Sequence, residues 1–303
     1  MLLVCGGADD PNIRRLLARC RDRRVEVEAV VVGANAHPTV VWDLEDDRLL
    51  VAGRPIRPTG AFIRHDVFTN LADSRPASAY RASAWYSTVA AWVRAHPRVR
   101  ALNARTDGGL LKAHVLMAAR RQGLAIPRTL VTNDLAFLSN GGEPETRVVK
   151  PVTGGEYCQP LGPVLARTDR KRDVAAAPAI VQERLAGPDV RIYRVGERFL
   201  AFAIHSAALD YREDDRCRVV YLPRPPSGIV EKLRRLAAEF DLDFLAADFK
   251  HCAITGAVKF LEINTAPMFA AFDLASDGRI SDAIIAHLTR GRGRSRPGSG
   301  PSR

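Results

Sequence analysis

The sequence predicts an α/β (α+β) fold, and three observations carry that expectation. Short apolar strand patterns alternate with helical patterns in the N-terminal part of the chain. Between them, apolar residues recur at the three-and-four spacing of a buried helix face. Further on, strand patterns come in pairs around tight turns, the mark of hairpins.

At 303 residues the chain is long enough for two or three modest domains with real cores. It is 47% hydrophobic and 26% charged, which fits a globular protein and excludes a disordered one. No apolar run approaches the ~18 residues of a membrane span. The opening MLLVCGG is too short and too quickly polar for a secretory signal, so a cytoplasmic protein with no membrane partner is expected. Cys5, Cys20, Cys158, Cys217 and Cys252 are scattered and form no CxxC pair, so reduced thiols are expected. The histidines show no HExxH or HxH arrangement. Of the formal charge of +11, five positive charges come from the arginines of residues 290–303, which leaves +6 for the rest. That balance suits anionic ligands. No basic stretch interleaved with aromatics points to nucleic acid, which is not expected as a partner.

Leu2–Cys5 reads as a buried strand ending at Gly6-Gly7, and Pro11–Arg21 as a helix with Ile13, Leu16 and Leu17 on one face. Val27–Val32 is a second strand. Thr39–Asp43 and Leu49–Val51 form a hairpin around Glu45-Asp46-Asp47. Ala61–Arg64 is another strand, which places Arg64 and Gly6-Gly7 at the carboxyl ends of a parallel sheet. The full GxGxxG fingerprint is absent, which favours a plain turn. Pro76–His96 is a helix whose Trp85, Val89, Trp92 and Val93 follow helical spacing, so the tryptophans are core residues. Val99–Asn103 is a short strand. Thr106-Asp107 caps a helix that runs through Arg121 and ends at Gly123. Lys112 lies early in it, where a lysine is ordinarily a solvated surface residue.

Arg128–Val131 is a strand, followed by a short helix from Asn133. Gly141-Gly142 and Pro144 mark a loop. Arg147–Pro151 is a strand ending in Lys150, ahead of Val152-Thr153-Gly154-Gly155-Glu156. Glycines let backbone N–H groups approach oxyanions, and a lysine adds a point charge, so this is compatible with a phosphate clamp. It is equally compatible with a hairpin loop and an exposed lysine. Ala179–Leu185 is a strand, and Gly187-Pro188 turns the chain. Asp189–Val195 and Arg198–Ile204 pair around Gly196-Glu197, with Asp189 and Arg191 on one face. His205-Ser206 and Asp210-Tyr211-Arg212 form a charged cluster. Val219–Leu222 is a strand, Gly228–Phe240 an amphipathic helix, and Ile280–Leu288 a last helix. Residues 291–303 have nothing apolar to bury and are expected to be a disordered basic tail.

Residues 245–269 hold two strands around a turn near Ile254–Gly256. The first carries Asp248, and the second carries Glu262 and Asn264 on one face. A closed hairpin sets Asp248 across from positions 262 to 264. Two carboxylates and an amide oxygen suit a hard cation such as magnesium. The alternative is a solvated polar face, against which stand the apolar neighbours Leu261 and Ile263.

Taken together, these motifs resemble the ATP-grasp superfamily over about Asn103 to Leu288, in its RimK-like and graspetide (microviridin-type) ligase branches. The helix lysine, the strand lysine before a Gly-rich loop, the Gln182-Glu183 hinge strand, the Asp189-x-Arg191 hairpin and the Asp248…Glu262-x-Asn264 hairpin follow the family order. The stretch from Ile204-His205-Ser206 to Asp210-Tyr211-Arg212 is similar to the I-x-S…D-W-R pattern, with tyrosine in place of tryptophan. Asn264 is followed by Thr265-Ala266-Pro267-Met268-Phe269, unlike the Asn-Pro-rich endings of many graspetide ligases.

The resemblance implies a small N-terminal parallel α/β domain (1–104) and two α+β grasp subdomains (105–178 and 179–290) that clamp ATP. It implies that Lys112, Lys150, Gly154 and Gly155 contact the phosphates. Gln182, Glu183 and Leu185 would line the adenine pocket, with Asp189 on the ribose side. Arg191 and Arg212 would face the triphosphate and an acyl phosphate, and Asp248, Glu262 and Asn264 would hold one or two magnesium ions, or manganese. The implied activity is ATP-dependent ligation of a small-molecule or peptide carboxylate to an amine, giving an amide or ester. Alternatives are modification of a ribosomal peptide or protein, and a nucleotide-binding protein without chemistry. A homo-oligomer is compatible with all of them.

Overall fold

The computed structural model describes residues 1–34, 37–68, 75–104, 106, 109–140, 143–153, 157–168, 173–226 and 228–290. The chain divides into two compact units. One is Met1–Ala104 together with the chain from Ser281 onward, and the other is Arg105–Ile280. The expected basic tail, 291–303, and the glycines at 141–142 and 154–155 lie outside the described residues.

The first unit is built on a parallel sheet. Its strands are β1 (Leu2–Gly7), β2 (Val27–Val32), β6 (Gly60–Ile63) and β7 (Arg100–Ala101), in the order β2-β1-β6-β7. A small antiparallel sheet, β3 (Val40–Asp43), β4 (Arg48–Val51) and β5 (Arg54–Pro55), stands beside it. Helix α1 (Pro11–Asp22) starts at Asp10, whose Oδ1 accepts the Asn12 N–H at 2.7 Å, with proline at the first helical position. The other Asp10 oxygen accepts from Arg64 Nε at 2.9 Å, both side chains being buried. Arg64 therefore anchors the ends of the parallel strands. Gly7 is glycine because of close approach: an added Cβ would meet the Asp66 carboxylate at 2.3 Å. Helix α2 (Pro76–Ala95) buries Val89, Trp92 and Val93 against Leu3, Cys5 and Val30, and Trp85 packs at the rim of that cluster.

The second unit holds two antiparallel sheets. The smaller has the order β10-β9-β11-β8, with β8 (Thr129–Asp134), β9 (Arg147–Pro151), β10 (Gln159–Pro160) and β11 (Val174–Glu183). The larger has the order β14-β13-β12-β15-β16, with β12 (Asp189–Val195), β13 (Arg198–His205), β14 (Arg218–Leu222), β15 (Phe244–His251) and β16 (Val258–Asn264). Helices α3 (Lys112–Arg121) and α6 (Ile229–Glu239) cover the large sheet through Val115, Leu116, Leu233 and Leu236. Helices α4 (Leu135–Asn140) and α5 (Leu161–Arg167) cover the small one through Leu138, Leu161 and Leu165. Helix α7 (Ala270–Ala275) follows β16, and α8 (Arg279–Thr289), which belongs from Ser281 onward to the first unit, is the last described element.

Several boundaries depart from the sequence reading. Helix α3 opens at Lys112; the Thr106 hydroxyl, expected as part of its cap, donates to the Phe240 and Asp241 carbonyls instead, and Asp107 lies outside the described residues. Strand β8 runs on through Asn133 and Asp134, and Asp134 then accepts the Phe137 N–H at 2.7 Å to start α4. Helix α5, with Gly162 and Pro163 in its first turn, was not among the elements expected from the sequence. Proline in a first helical turn removes no intrahelical bond. Among the described residues no helix is long and apolar enough to cross a membrane.

Candidate active site

One face of the large sheet collects the polar residues of three adjacent strands. Strand alternation puts Asp189, Arg191 and Tyr193 of β12 on the same side as Asp248 and Lys250 of β15. Across the pairs, Asp189 faces Lys250, Arg191 faces Asp248, and Asp248 faces Glu262. A bulge then shifts the register of β16, so that Phe249 faces Phe260 and Lys250 faces Lys259, with Leu261 as the surplus residue. The sequence reading of Asp248 opposite positions 262 to 264 agrees with this register.

Asp189, Arg191, Asp248, Lys250, Leu261 and Glu262 form the floor of a cleft of about 560 Å³, within the range of small-molecule sites. The opposite wall comes from Val148 and Lys150 of β9, Gln182 and Glu183 of β11, Leu185 and Cys158. Gln182 is buried, and its amide donates to Thr129 Oγ1 at 2.9 Å. Glu183 pairs with Lys259. The first residue of α3, Lys112, reaches the same cleft, with Nζ 3.8 Å from Glu262 Oε2. Leu111, just before it, offers no capping side chain to the start of α3.

The segment after β13 brings a second arginine. Ser206 donates to Asp214 Oδ2 at 2.6 Å, which folds the loop. Asp210 accepts both the backbone N–H and the guanidinium of Arg212, the latter through Nε at 2.8 Å. The Arg212 guanidinium also lies 5.0 Å from the Tyr157 ring centre. Tyr211 accepts a short hydrogen bond from Arg191 Nη1. Arg191 is thus held from several sides: by Tyr211, by Asp248 at 3.5 Å, and by the rings of Tyr193 and Phe272 at 5.5 and 5.3 Å.

Charge is packed tightly enough to move proton affinities. Burial raises the Asp248 carboxyl to about 6, with Glu262 and Asp189 adding to the rise and Arg191 and Arg212 opposing it. Burial also raises Asp189, against the pull of Lys250. For Asp210 burial pushes the same way, but the Arg212 hydrogen bonds outweigh it and the carboxyl falls below its usual range. The Cys158 thiol is raised by burial.

The residues present fit a divalent cation. Asn264 donates its amide N–H to Asp248 Oδ2 at 3.0 Å, which leaves its amide oxygen as an acceptor. Two facing carboxylates, one of them raised by burial and further by its neighbour, are a like-charge pair that a cation relieves. Among the described residues no group of three or more His, Cys, Asp or Glu stands ready for a metal. Two carboxylates and an amide instead suit an ion that takes its remaining oxygens from phosphate and water.

Lys112, Lys150, Gln182, Glu183, Leu185, Asp189, Arg191, Arg212, Asp248, Glu262 and Asn264 all line this one cleft. Gly154 and Gly155 lie outside the described residues. Sequence reasoning did not single out Lys250, Cys158 or Lys259. Lys250 was readable, because it stands two residues from Asp248 on a strand and so shares its face. Lys259 was hidden by the bulge, and Cys158 lies outside any strand pattern.

No family model matches the chain, and no curated protein matches its sequence. Solved structures do. The chain is similar to the ATP-grasp ligase PsnB, complexed with a minimal precursor, Mg and ADP: 25% identity, 95% of this chain and 97% of that one covered, TM-score 0.72. It is also similar to the macrocyclase MdnC from Microcystis aeruginosa MRC, bound with precursor peptide MdnA. The identity is 18%, with 96% and 100% of the two chains covered and a TM-score of 0.68. The VanG D-Ala:D-Ser ligase from Enterococcus faecalis shares the fold at 13% identity, with 95% and 99% covered and a TM-score of 0.57.

Proposed function

We infer that the chain is an ATP-grasp ligase of the graspetide branch, and that it joins a carboxylate to an amine at the expense of ATP, releasing ADP and phosphate. The observation that carries this reading is the convergence of five cations, two facing carboxylates and an amide on one cleft. A nucleophilic triad is not needed for such chemistry, because ATP supplies the activation.

In this reading Val148, Leu185 and Leu261 give the adenine its apolar walls, beside the hinge residues Gln182 and Glu183. Lys112 and Lys150 hold phosphate oxygens as point charges, and Gly154 and Gly155 let the backbone approach them. Asp189 takes the sugar. Asp248, Glu262 and Asn264 would hold magnesium, one or two ions, or manganese in its place. Bound there, the ion neutralises phosphate charge that would otherwise repel an incoming carboxylate.

A carboxylate oxygen attacks the γ-phosphorus, and the bond to the β-phosphate oxygen breaks, so ADP leaves. Arg191 and Arg212 face the oxygens on which charge accumulates. Their fixed partners keep them from reorganising as the charge moves. An amine then attacks the acyl carbon, a C–N bond forms, phosphate departs and the amine loses a proton. The cleft also excludes water, which would hydrolyse the acyl phosphate.

We read the substrate as a peptide, because PsnB, a protein alike over nearly the whole length, is complexed with a precursor. The test is ATP turnover with a panel of acidic peptides and small carboxylates, each with and without an added amine. ADP and a product lighter by one water per bond are expected. AMP and pyrophosphate would overturn the mechanism, and turnover with small acids alone would overturn the peptide reading.

A further inference from the structure

Lys112, Lys150, Arg191 and Arg212 have roles in the ligase reading, but Lys250 lines the same cleft without one. It stands on β15 directly opposite Asp189, the first residue of β12. Its ammonium donates to Asp189 Oδ2 at 2.8 Å and to the Leu209 carbonyl at 3.4 Å. The two side chains are only 11% and 16% exposed, so neither charge is well solvated without the other. Strand geometry does not require a lysine here. Its neighbour Phe249 is a core residue, and an apolar side chain at 250 would continue the strand.

The pair uses one oxygen of Asp189. The other, Oδ1, has no hydrogen-bond partner among the described residues, although Asp189 lines the cleft. An ionised carboxylate only accepts hydrogen bonds. The donors that a nucleotide offers beyond its base are the sugar hydroxyls, and a carboxylate is a fitting acceptor for the 2′-OH. A buried carboxylate without a counter-charge would instead take up a proton or turn away.

We propose that Lys250 is a positioning residue for nucleotide selection: it holds Asp189 in one orientation as the acceptor for the ribose 2′-hydroxyl. The chain thereby prefers ribonucleotides to deoxyribonucleotides. This rests on the ATP reading above, and the tether to Leu209 joins the sugar end of the cleft to the segment that carries Arg212.

The test is calorimetric binding of magnesium-ATP and magnesium-2′-deoxy-ATP to the full chain and its variants. The wild type should bind ATP about tenfold or more tightly than 2′-deoxy-ATP, as for a hydrogen bond to a charged group. Lys250→Met should bring that ratio to within about threefold, with 2′-deoxy-ATP affinity little changed, because only the sugar contact is lost. Lys250→Arg should retain the preference, and Asp189→Asn should lose it. The same ratio in Lys250→Met as in the wild type overturns the proposal, as does equal wild-type affinity for both nucleotides. Should Lys250→Met not fold, a wild-type ratio in Asp189→Asn overturns it instead. If neither nucleotide binds the wild type, the ATP reading itself fails.

Discussion

Asp248 stands directly opposite Glu262 on neighbouring strands, and Asn264 holds the Asp248 carboxylate at 3.0 Å. The protein keeps two acids in a place where they repel. Glu262→Ala should therefore lower ATP turnover by about a hundredfold or more. The fold should remain, because removing one of two like charges relieves the apo site. ADP release and thermal unfolding, each with and without magnesium, check both halves. Wild-type turnover in this variant would remove the metal assignment.

The phenol of Tyr211 meets Arg191 through a short hydrogen bond. Tyr211→Phe keeps the ring and removes the acceptor. We expect kcat to fall about tenfold, the equivalent of about 1.4 kcal/mol, with the KM for ATP changed by less than about twofold. A matched rise in KM would instead mean that Tyr211 serves ground-state binding.

Cys158 lines the cleft and is half-buried, with its thiol raised by burial. Alkylation by iodoacetamide should be slow at neutral pH and faster at pH 9, since the thiolate is the nucleophile. Magnesium-ATP should slow it in proportion to occupancy of the site. Cys5 and Cys20, whose thiols burial pushes up to about 12 and about 11, should stay unmodified in the native protein. Peptide mapping by mass spectrometry reads all three.

In the first unit, Asp282 accepts from Arg19 at 2.8 and 2.7 Å and from Arg23 at 2.9 and 2.7 Å. Burial opposes the charge, but the two guanidinium groups outweigh it and hold the carboxyl far below its usual range. A depressed native value means that this contribution is present above the unfolded value of ~3.9 and fades as the pH falls below it. Asp282→Asn should cost about 1–2 kcal/mol at pH 7, after allowance for the partly exposed Arg23. The gap between the two proteins should narrow progressively below about pH 4. Denaturant melts from pH 7 to pH 3 measure it.

The sequence was most legible where a period could be counted. Asp248, Glu262 and Asn264 follow from strand alternation and a closed turn, and Trp85 and Trp92 from helical spacing. Lys112 and Lys150 were each compatible with plain surface lysines, and only the order of motifs along the chain gave them a common site. What escaped were events with no local period. The start of α3 lies at Lys112, and Thr106 bonds instead to carbonyls more than a hundred residues away in sequence. The grip on Arg191 combines β12, β15, α7 and the loop after β13, and no window of sequence contains all of them.

The surplus residue at Leu261 gives β16 a change of phase. Before it, the odd-numbered Lys259 faces the same side as Lys250; after it, the even-numbered Glu262 and Asn264 do. Paired without that bulge, the same residues would alternate plainly, and the strand could then aim either its lysine or its acids into the cleft, but not both. A change of pairing at this one position, with no charged residue touched, would thus part the Glu183–Lys259 contact from the proposed metal ligands.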